Sequence, residues 1–165
     1  MSLHMKGVKG HIKNRSTGLV MGIAGNDENK GAQIVTWDLN SADGDWDKVW
    51  EFTADGCIQN SNTGLVMGIW GNNSEIGAAI VTWTKDDNWD KKWSLTDDGY
   101  ITNVETSFVM GIGGNDEARG AHIITWSEDG NWDKKWVFEP LGTELLQAVG
   151  TELLQAARTR ACVLL

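Results

Sequence analysis

The chain has 165 residues, of which ten are Trp, and a formal net charge of −9. This length is enough for one domain with its own core and too short for two ordinary domains. The charge excludes nucleic acid as a partner, because phosphate backbones bind basic patches and no run of more than two Lys or Arg occurs. No window approaches the ~18 apolar residues that a membrane span needs.

The cysteines and the first residues bear on the cellular compartment. Cys57 and Cys162 lie in unlike segments, and neither has a partner at the spacing of a metal site or a redox motif. Residues 1–7 lack the apolar stretch of a cleavable signal peptide. We therefore predict a reduced, cytoplasmic protein, or one released without a signal, that needs no cofactor.

Three copies of one sequence unit fill residues 10–140, and we call them unit 1 (10–55), unit 2 (56–98) and unit 3 (99–140). Each unit contains four short runs rich in Ile, Val and Trp, separated by Gly, Asn and Asp. Side chains alternate with a period of two, so that Ile34 and Thr36 point opposite to Val35 and Trp37. The units therefore predict an all-β domain of twelve short strands.

Two closed architectures accept such four-stranded units. A propeller usually has about four to eight blades, whereas three units of this size suit a β-trefoil, a six-stranded barrel capped by three hairpins. The same tripeptide pattern recurs in register in all three units: Lys48-Val49-Trp50, Lys91-Lys92-Trp93 and Lys134-Lys135-Trp136. It resembles the Gln-x-Trp signature of ricin-B-type β-trefoil lectins, with Lys in the Gln position. The upstream segments 17–23 and 31–37 are also similar to that family. The resemblance covers residues 10–140 and implies a β-trefoil that binds carbohydrate.

The repeat explains nine of the ten tryptophans. One set lies between apolar neighbours on a strand and is predicted to fill the barrel core: Trp50, Trp93 and Trp136. A second set is predicted to pack at the hairpin corners: Trp46, Trp89 and Trp132.

The remaining tryptophans are candidates for ligand contact. The resemblance implies a sugar-stacking aromatic at one strand end of each unit, with core packing as the alternative: Trp37, Trp83 and Trp126. An indole face covers the apolar C–H face of a pyranose while polar groups bind its hydroxyls. Trp70 has no counterpart, since Ala24 and Gly113 stand at the matching positions. It lies in a Gly-flanked loop, where contact with a ligand or partner is the alternative to burial.

Polar loops supply further candidates: Asn26, Asp27, Asn72, Asn73, Asn115 and Asp116. Asn and Asp favour such loops because their side chains bond nearby backbone. The functional alternative is that their oxygens and amides converge on sugar hydroxyls. Calcium is a third option, but the ligand spacing of a known calcium loop is absent, and we predict no metal site.

The chain departs from the family at one position. The usual sugar-binding Asp of the family, at the end of the second strand, is replaced by Gly22, Gly68 and Gly111. Acidic residues that precede the Lys-x-Trp motif, where the family often has a polar sugar ligand, are predicted as substitutes: Asp47, Asp90 and Asp133. The loop residues Asp27 and Asp116 are the other substitutes.

Catalysis is not expected. His4, His11 and His122 have no counterparts between units, and no nucleophile or phosphate-loop motif occurs. Threefold repetition instead favours multivalent binding through up to three related glycan sites. Three alternatives stay open: a protein-binding trefoil such as a protease inhibitor or cytoskeletal interaction module, an engineered or recently duplicated symmetric scaffold, and the sugar-targeting module of a toxin or hydrolase.

Residues 141–165 do not continue the repeat. An octapeptide is nearly doubled there, and five apolar side chains fall on one helical face, which predicts a short amphipathic helix: Leu145, Leu146, Val149, Leu153 and Leu154. The segment resembles a translated polylinker, as His4-Met5 in the 1–9 lead resembles a cloning-site remnant. Alternatively the helix docks on the trefoil or joins two copies in a homo-oligomer. Cys162-Val163-Leu164-Leu165 is a weak match to a prenylation box. If the chain carries no prenyl group, we expect it to reach a membrane only by binding glycans on the membrane surface.

Overall fold

The computed structural model describes residues 5–39 and 45–163, with only the backbone for residues 143–149, 151 and 161–163. Each unit forms four strands, as its alternating runs predict. Unit 1 holds β1 (Lys9–Asn14), β2 (Val20–Ile23), β3 (Ile34–Trp37) and β4 (Trp50–Phe52). Unit 2 holds β5 (Ile58–Asn60), β6 (Val66–Ile69), β7 (Ile80–Trp83) and β8 (Trp93–Leu95). Unit 3 holds β9 (Ile101–Asn103), β10 (Val109–Ile112), β11 (Ile123–Trp126) and β12 (Trp136–Pro140).

Six of these strands form a barrel that joins the units. The last strand of each unit pairs antiparallel with the first strand of the next: β4 with β5, β8 with β9, and β12 with β1. Within units, β1 pairs with β4, and the amides of Trp93 and Trp136 each donate to the carbonyl of a glycine before the first strand, at 2.8 Å. The chain thereby closes on itself, and closure removes the free sheet edges on which other strands could pair.

The other six strands form three hairpins that cap the barrel. They share one register, in which a buried Met faces a buried Thr: Met21 and Thr36, Met67 and Thr82, Met110 and Thr125. Isolated bridges connect β3 to β7, β7 to β11 and β11 to β3 through neighbouring residues. The β-trefoil predicted from the sequence is therefore confirmed.

The core tryptophans are where the sequence predicts them. Trp50, Trp93 and Trp136 are buried in one apolar cluster, and each indole N–H donates to the carbonyl of the methionine in its own unit's hairpin, at 2.9, 3.1 and 3.0 Å. A buried indole needs such a partner for its N–H. The corner tryptophans are partly buried and pack against the same cluster: Trp46, Trp89 and Trp132.

The C-terminal segment forms the predicted helix, α1 (Gly142–Val163). Leu153 and Leu154 are 66% and 62% exposed, so this part of the predicted apolar face does not dock on the trefoil. The description does not include residues 1–4, 164 and 165, or the side chains of Leu145, Leu146, Val149 and Cys162. Most of the predicted cloning-site remnant and of the predicted prenylation box therefore lies outside the described residues. Within residues 5–39 and 45–163, no helix has both the length and the apolar character to cross a bilayer.

Candidate functional site

Three of the surface grooves, one in each unit, are built from matching residues. We name them groove 1, groove 2 and groove 3, with cavity volumes of about 470, 360 and 420 Å³. Their shared lining consists of a tryptophan at a strand end, an Asp-Lys pair and a loop asparagine. These are Trp37, Asp47, Lys48 and Asn26 in groove 1, Trp83, Asp90, Lys91 and Asn72 in groove 2, and Trp126, Asp133, Lys134 and Asn115 in groove 3.

The strand-end tryptophans form an exposed wall of each groove. Trp37 and Trp126 are 37% and 39% exposed and Trp83 is partly exposed, and none of the three belongs to the core cluster. The geometry therefore does not support core packing, the alternative for these residues. In two grooves a cation from the neighbouring unit lies over the indole: Arg119 at 5.0 Å from the Trp37 ring centroid and Lys30 at 4.8 Å from that of Trp83.

The floor of each groove contains a buried ion pair between adjacent residues. In groove 2 the Lys91 ammonium donates to both carboxylate oxygens of Asp90, at 3.1 and 2.9 Å, and both side chains are 2% exposed. The matching nitrogen–oxygen distances are 3.0 Å for Lys48–Asp47 and 2.8 Å for Lys134–Asp133. Burial of a charge is tolerated only with such a partner. The Lys in place of the family's Gln thus holds the preceding carboxylate.

A second carboxylate reaches the same ammonium in each unit. Asp86 Oδ2 lies 3.2 Å from Lys91 Nζ, and Asp129 Oδ2 lies 3.0 Å from Lys134 Nζ. Sequence reasoning missed both residues, although Asp-x-Asn-Trp-Asp-Lys recurs in these two units. In unit 1, Asp45 Oδ1 lies 3.4 Å from Lys48 Nζ. Each cluster therefore has two carboxylates against one ammonium, a formal net charge of −1, but Asp86 and Asp129 line their grooves whereas Asp45 does not.

Hydrogen bonds favour the charged forms of four of these groups: Lys91, Asp86, Lys134 and Asp129. Burial opposes the charged form of Lys91, but bonds to Asp90 and Asp86 outweigh it and place the pKa of the ammonium above its ordinary value. Burial likewise favours the neutral form of Asp86, but the amide of Asn88 and the Lys91 ammonium lower the pKa of its carboxyl. The pKa values of Lys134 and Asp129 shift in the same directions for matching reasons.

The glycines that replace the family's Asp make room for the ion pair. A Cβ on Gly68 would lie 3.2 Å from Asp90 Oδ2 and 3.1 Å from Lys91 Cγ, closer than ordinary contact. Gly22 and Gly111 meet their own Asp-Lys pairs in the same way, at 3.0 to 3.2 Å. A carboxylate therefore does lie beside each glycine, but it comes from the turn before the last strand of the unit.

A buried asparagine from the following unit fixes that turn. Asn103 donates from Nδ2 to the carbonyls of Trp89 and Lys92, at 3.0 and 3.2 Å, and its Oδ1 accepts bonds from the loop after β9. Asn60 and Asn14 make the matching bonds to units 1 and 3. Sequence reasoning assigned these residues no role, because their partners lie in another unit.

The polar loops divide into two sets. Asn26, Asn72 and Asn115 line their grooves in a left-handed backbone conformation, with φ of 51–52°. The neighbouring loop residues lie outside the groove linings, because each Oδ1 accepts a backbone N–H two residues ahead, at 2.9 Å: Asp27, Asn73 and Asp116. Their Oδ1 atoms are engaged in turns, and the sugar contact predicted for these three residues stays a prediction. The loops also brace the next unit, where the carbonyl of Asn29 accepts from Thr82 Oγ1 at 3.1 Å, beside Trp83.

Two unrepeated residues distinguish the grooves. Trp70 is 55% exposed and lines groove 2, with its ring centroid 5.9 Å from that of Trp83 and the planes 79° apart. His122 of unit 3 lines groove 1, although its lack of counterparts gave it no expected role. Among the described residues, no group of three or more His, Cys, Asp or Glu is arranged to hold a metal ion.

Comparison with known proteins relates this geometry to a family. The family model of the ricin-type β-trefoil lectin domain matches residues 8–136 and 56–160. No curated protein sequence matches the chain.

Solved structures share the fold. The C-half of the earthworm R-type lectin, in complex with GalNAc, superposes with a TM-score of 0.71 at 24% identity, covering 81% of this chain and 99% of that one. The mdaA-1 domain gives 0.71 at 26% identity over 81% and 90%. The designed threefold-symmetric protein ThreeFoil gives 0.73 at 17% identity over 81% and 99%. Identities of 24% and 17% show the fold alone.

Proposed function

The chain belongs to the family of ricin-type β-trefoil lectin domains, and from this premise we propose that it is a carbohydrate-binding protein, not an enzyme, with a sugar site in each groove. One observation carries the proposal. An exposed indole and a carboxylate clamped by a buried ammonium line the same groove, and this arrangement occurs three times.

A pyranose matches the chemistry of such a groove. Its apolar C–H face stacks on the indole of Trp37, Trp83 or Trp126, which removes apolar surface from water. Its hydroxyls donate to the clamped carboxylates, and hydrogen bonds to ionised acceptors are stronger than those to neutral ones. Asp86 and Asp129 are 40% and 32% exposed, so their oxygens are open to a ligand as well as to Lys. The groove asparagine adds both a donor and an acceptor.

The relocated carboxylate explains how a site can persist without the family's Asp. In this proposal Asp47, Asp90 and Asp133 take over its role, because each Oδ2 lies 3.1–3.2 Å from the position that a Cβ on the adjacent glycine would occupy. The buried ammonium fixes the acceptor before the sugar arrives, which lowers the entropy lost on binding.

The charge of the grooves favours neutral sugars. With two carboxylates against one ammonium, groove 3 repels the carboxylate or sulfate of an anionic glycan, and like charges at close range reduce affinity. In groove 2 the Lys30 ammonium over Trp83 offsets part of this repulsion. Three grooves held by one closed barrel also favour decorated surfaces over free monosaccharides, since linked sites raise the effective concentration.

A glycan array with the parent protein and the triple variant Trp37→Ala, Trp83→Ala, Trp126→Ala tests the proposal. We expect the parent to bind neutral glycans and the triple variant to lose that binding while its melting temperature stays close to the parent's. The double variant Leu39→Ala, Val104→Ala removes exposed apolar side chains (44% and 60%) outside the groove linings and is expected to keep binding. Absence of parent binding to any glycan, even at high protein concentration, would contradict the proposal.

A further inference from the structure

Groove 2 differs from grooves 1 and 3 at one position on the exposed edge of the groove, which we call the rim. Trp70 directly follows β6 and lines groove 2, whereas Ala24 and Gly113 stand at the matching positions. The Asp-Lys floor, the strand-end indole and the loop asparagine are common to all three grooves. The second indole is therefore an addition to a shared site and not a part of it.

The fold does not need the Trp70 side chain in this place. The indole is 55% exposed and lies outside the core cluster. Its backbone is nevertheless well fixed, because its amide donates to the carbonyl of Ala79 at 2.9 Å. A tryptophan on a fixed backbone has only two side-chain torsions, so it offers a large contact surface at a small entropic cost. Together with the partly exposed Trp83, which it contacts, Trp70 forms a contiguous apolar surface, and such surfaces are typical of binding sites.

The two indoles form a corner. Their ring centroids are 5.9 Å apart and their planes are 79° apart. Gly31 of unit 1 borders both, since a Cβ there would lie 3.7 Å from Trp70 and 3.8 Å from Trp83. Trp83 shares the groove with the buried Asp-Lys pair, whereas Trp70 stands at the more exposed rim. A ligand that covers both indoles must extend from the floor to the rim and change the orientation of its apolar face on the way.

We propose that groove 2, unlike grooves 1 and 3, binds two consecutive sugar residues of a glycan, the first against Trp83 beside the carboxylates and the second against Trp70. Consecutive pyranose rings are spaced much as these indoles are, and rotation about the glycosidic bond sets their faces at an angle. The inference rests on the proposed function, because it subdivides a groove already assigned to sugar.

The test isolates groove 2 with the background Trp37→Ala, Trp126→Ala. Affinities are measured by calorimetry for two matched probe pairs, galactose with lactose and N-acetylglucosamine with its β1,4-linked dimer. In this background we expect one disaccharide to bind about tenfold more tightly than its monosaccharide, as one added stacking contact predicts. Adding Trp70→Ala should remove most of that preference, and the melting temperature checks that the fold is kept.

The reciprocal experiment gives groove 1 the missing wall. The double variant Trp83→Ala, Trp126→Ala keeps only groove 1 intact. With Ala24 unchanged, it should bind the monosaccharide and the disaccharide of each pair with similar affinity. Adding Ala24→Trp should create a disaccharide preference of about the same size.

The outcomes separate the two proposals. Equal losses for monosaccharide and disaccharide on Trp70→Ala, or a preference that survives it, overturn the two-residue groove and leave sugar binding intact. If neither background nor the parent binds any of the four probes, and the parent also fails on the glycan array, the proposed function fails and this inference fails with it.

Discussion

The floor and the rim of the grooves follow different rules. At the floor, a glycine, an Asp-Lys pair and a buried asparagine recur in all three units with closely similar distances. At the rim, Trp70, Ala24 and Gly113 occupy one matching position, and His122 reaches groove 1 from unit 3. The floor is tied into the packing between units, so it tolerates little change. The rim side chains lie outside the core cluster, so each groove can differ there without altering the fold.

The largest difference between floor and rim should appear when the buried ammonium is removed. Lys91→Ala leaves Asp90 buried and unpaired and takes a partner from Asp86, so we expect a loss of about 3–5 kcal/mol in the free energy of unfolding. Urea denaturation measures it. Lys85→Ala is the matched control, because it breaks a surface pair with Asp55 whose side chains are 38% and 45% exposed, and such pairs contribute about 1 kcal/mol or less. Equal losses in the two variants would show that the floor pair behaves like a surface pair.

A smaller effect is expected from filling the space beside the pair. Gly68→Ala adds a Cβ at 3.1 and 3.2 Å from Lys91 Cγ and Asp90 Oδ2, which forces the pair to shift and destabilises by about 1–3 kcal/mol. Sugar affinity of groove 2 should fall with it, since the acceptor moves. Gly142→Ala is the control, because, apart from its chain neighbours and the backbone of its own helix, no described atom lies within 4 Å of the position of its Cβ. Unchanged unfolding and affinity for Gly68→Ala would mean that the glycine is not required by the pair.

The floor also shows what the sequence can and cannot predict. The strands and Trp50, Trp93 and Trp136 were predictable, because period-two alternation and threefold recurrence both survive in one dimension. The same recurrence selected the groove tryptophans and Asp90 as candidates. Asp86 was missed because unit 1 carries a longer loop before Trp46, which hides the shared register.

Other parts of the site depend on contacts between units. The role of Asn103 cannot be derived from its neighbours, since the carbonyls it binds belong to unit 2. The loop residues Asp27 and Asp116 were ambiguous because an Asx turn and a sugar contact use the same side-chain oxygens. Only the direction in which the side chain points distinguishes a turn from a sugar contact. The alternation of polar and apolar residues along the chain does not encode that direction.

The pH dependence of stability should reflect the floor more than the rim. The pKa of Asp86 and of Asp129 is lowered from 3.8, so their contribution is present above that value and is lost as the pH falls through the lower folded pKa. The pKa of Lys91 and of Lys134 is raised from 10.5, so their contribution is present below that value and is lost as the pH rises through the higher folded pKa. The contribution of these four groups should therefore be flat between these limits. Asp55, whose pKa is lowered to about 2, shares the acid loss, which should be shallower in Asp86→Asn, Asp129→Asn. An acid limb as steep as the parent's would assign it to other carboxylates.

The smallest effect on stability is expected at the rim. Trp70→Ala removes an indole that is 55% exposed and outside the core cluster, so the free energy of unfolding should change by only about 0.5 kcal/mol. Trp93→Ala, the core tryptophan of the same unit, should lose about 3–5 kcal/mol, together with the hydrogen bond to the carbonyl of Met67. Thermal unfolding of the two variants side by side measures both. A large loss for Trp70→Ala would show that its contact with Trp83 supports the fold, and the rim would then share the constraint of the floor.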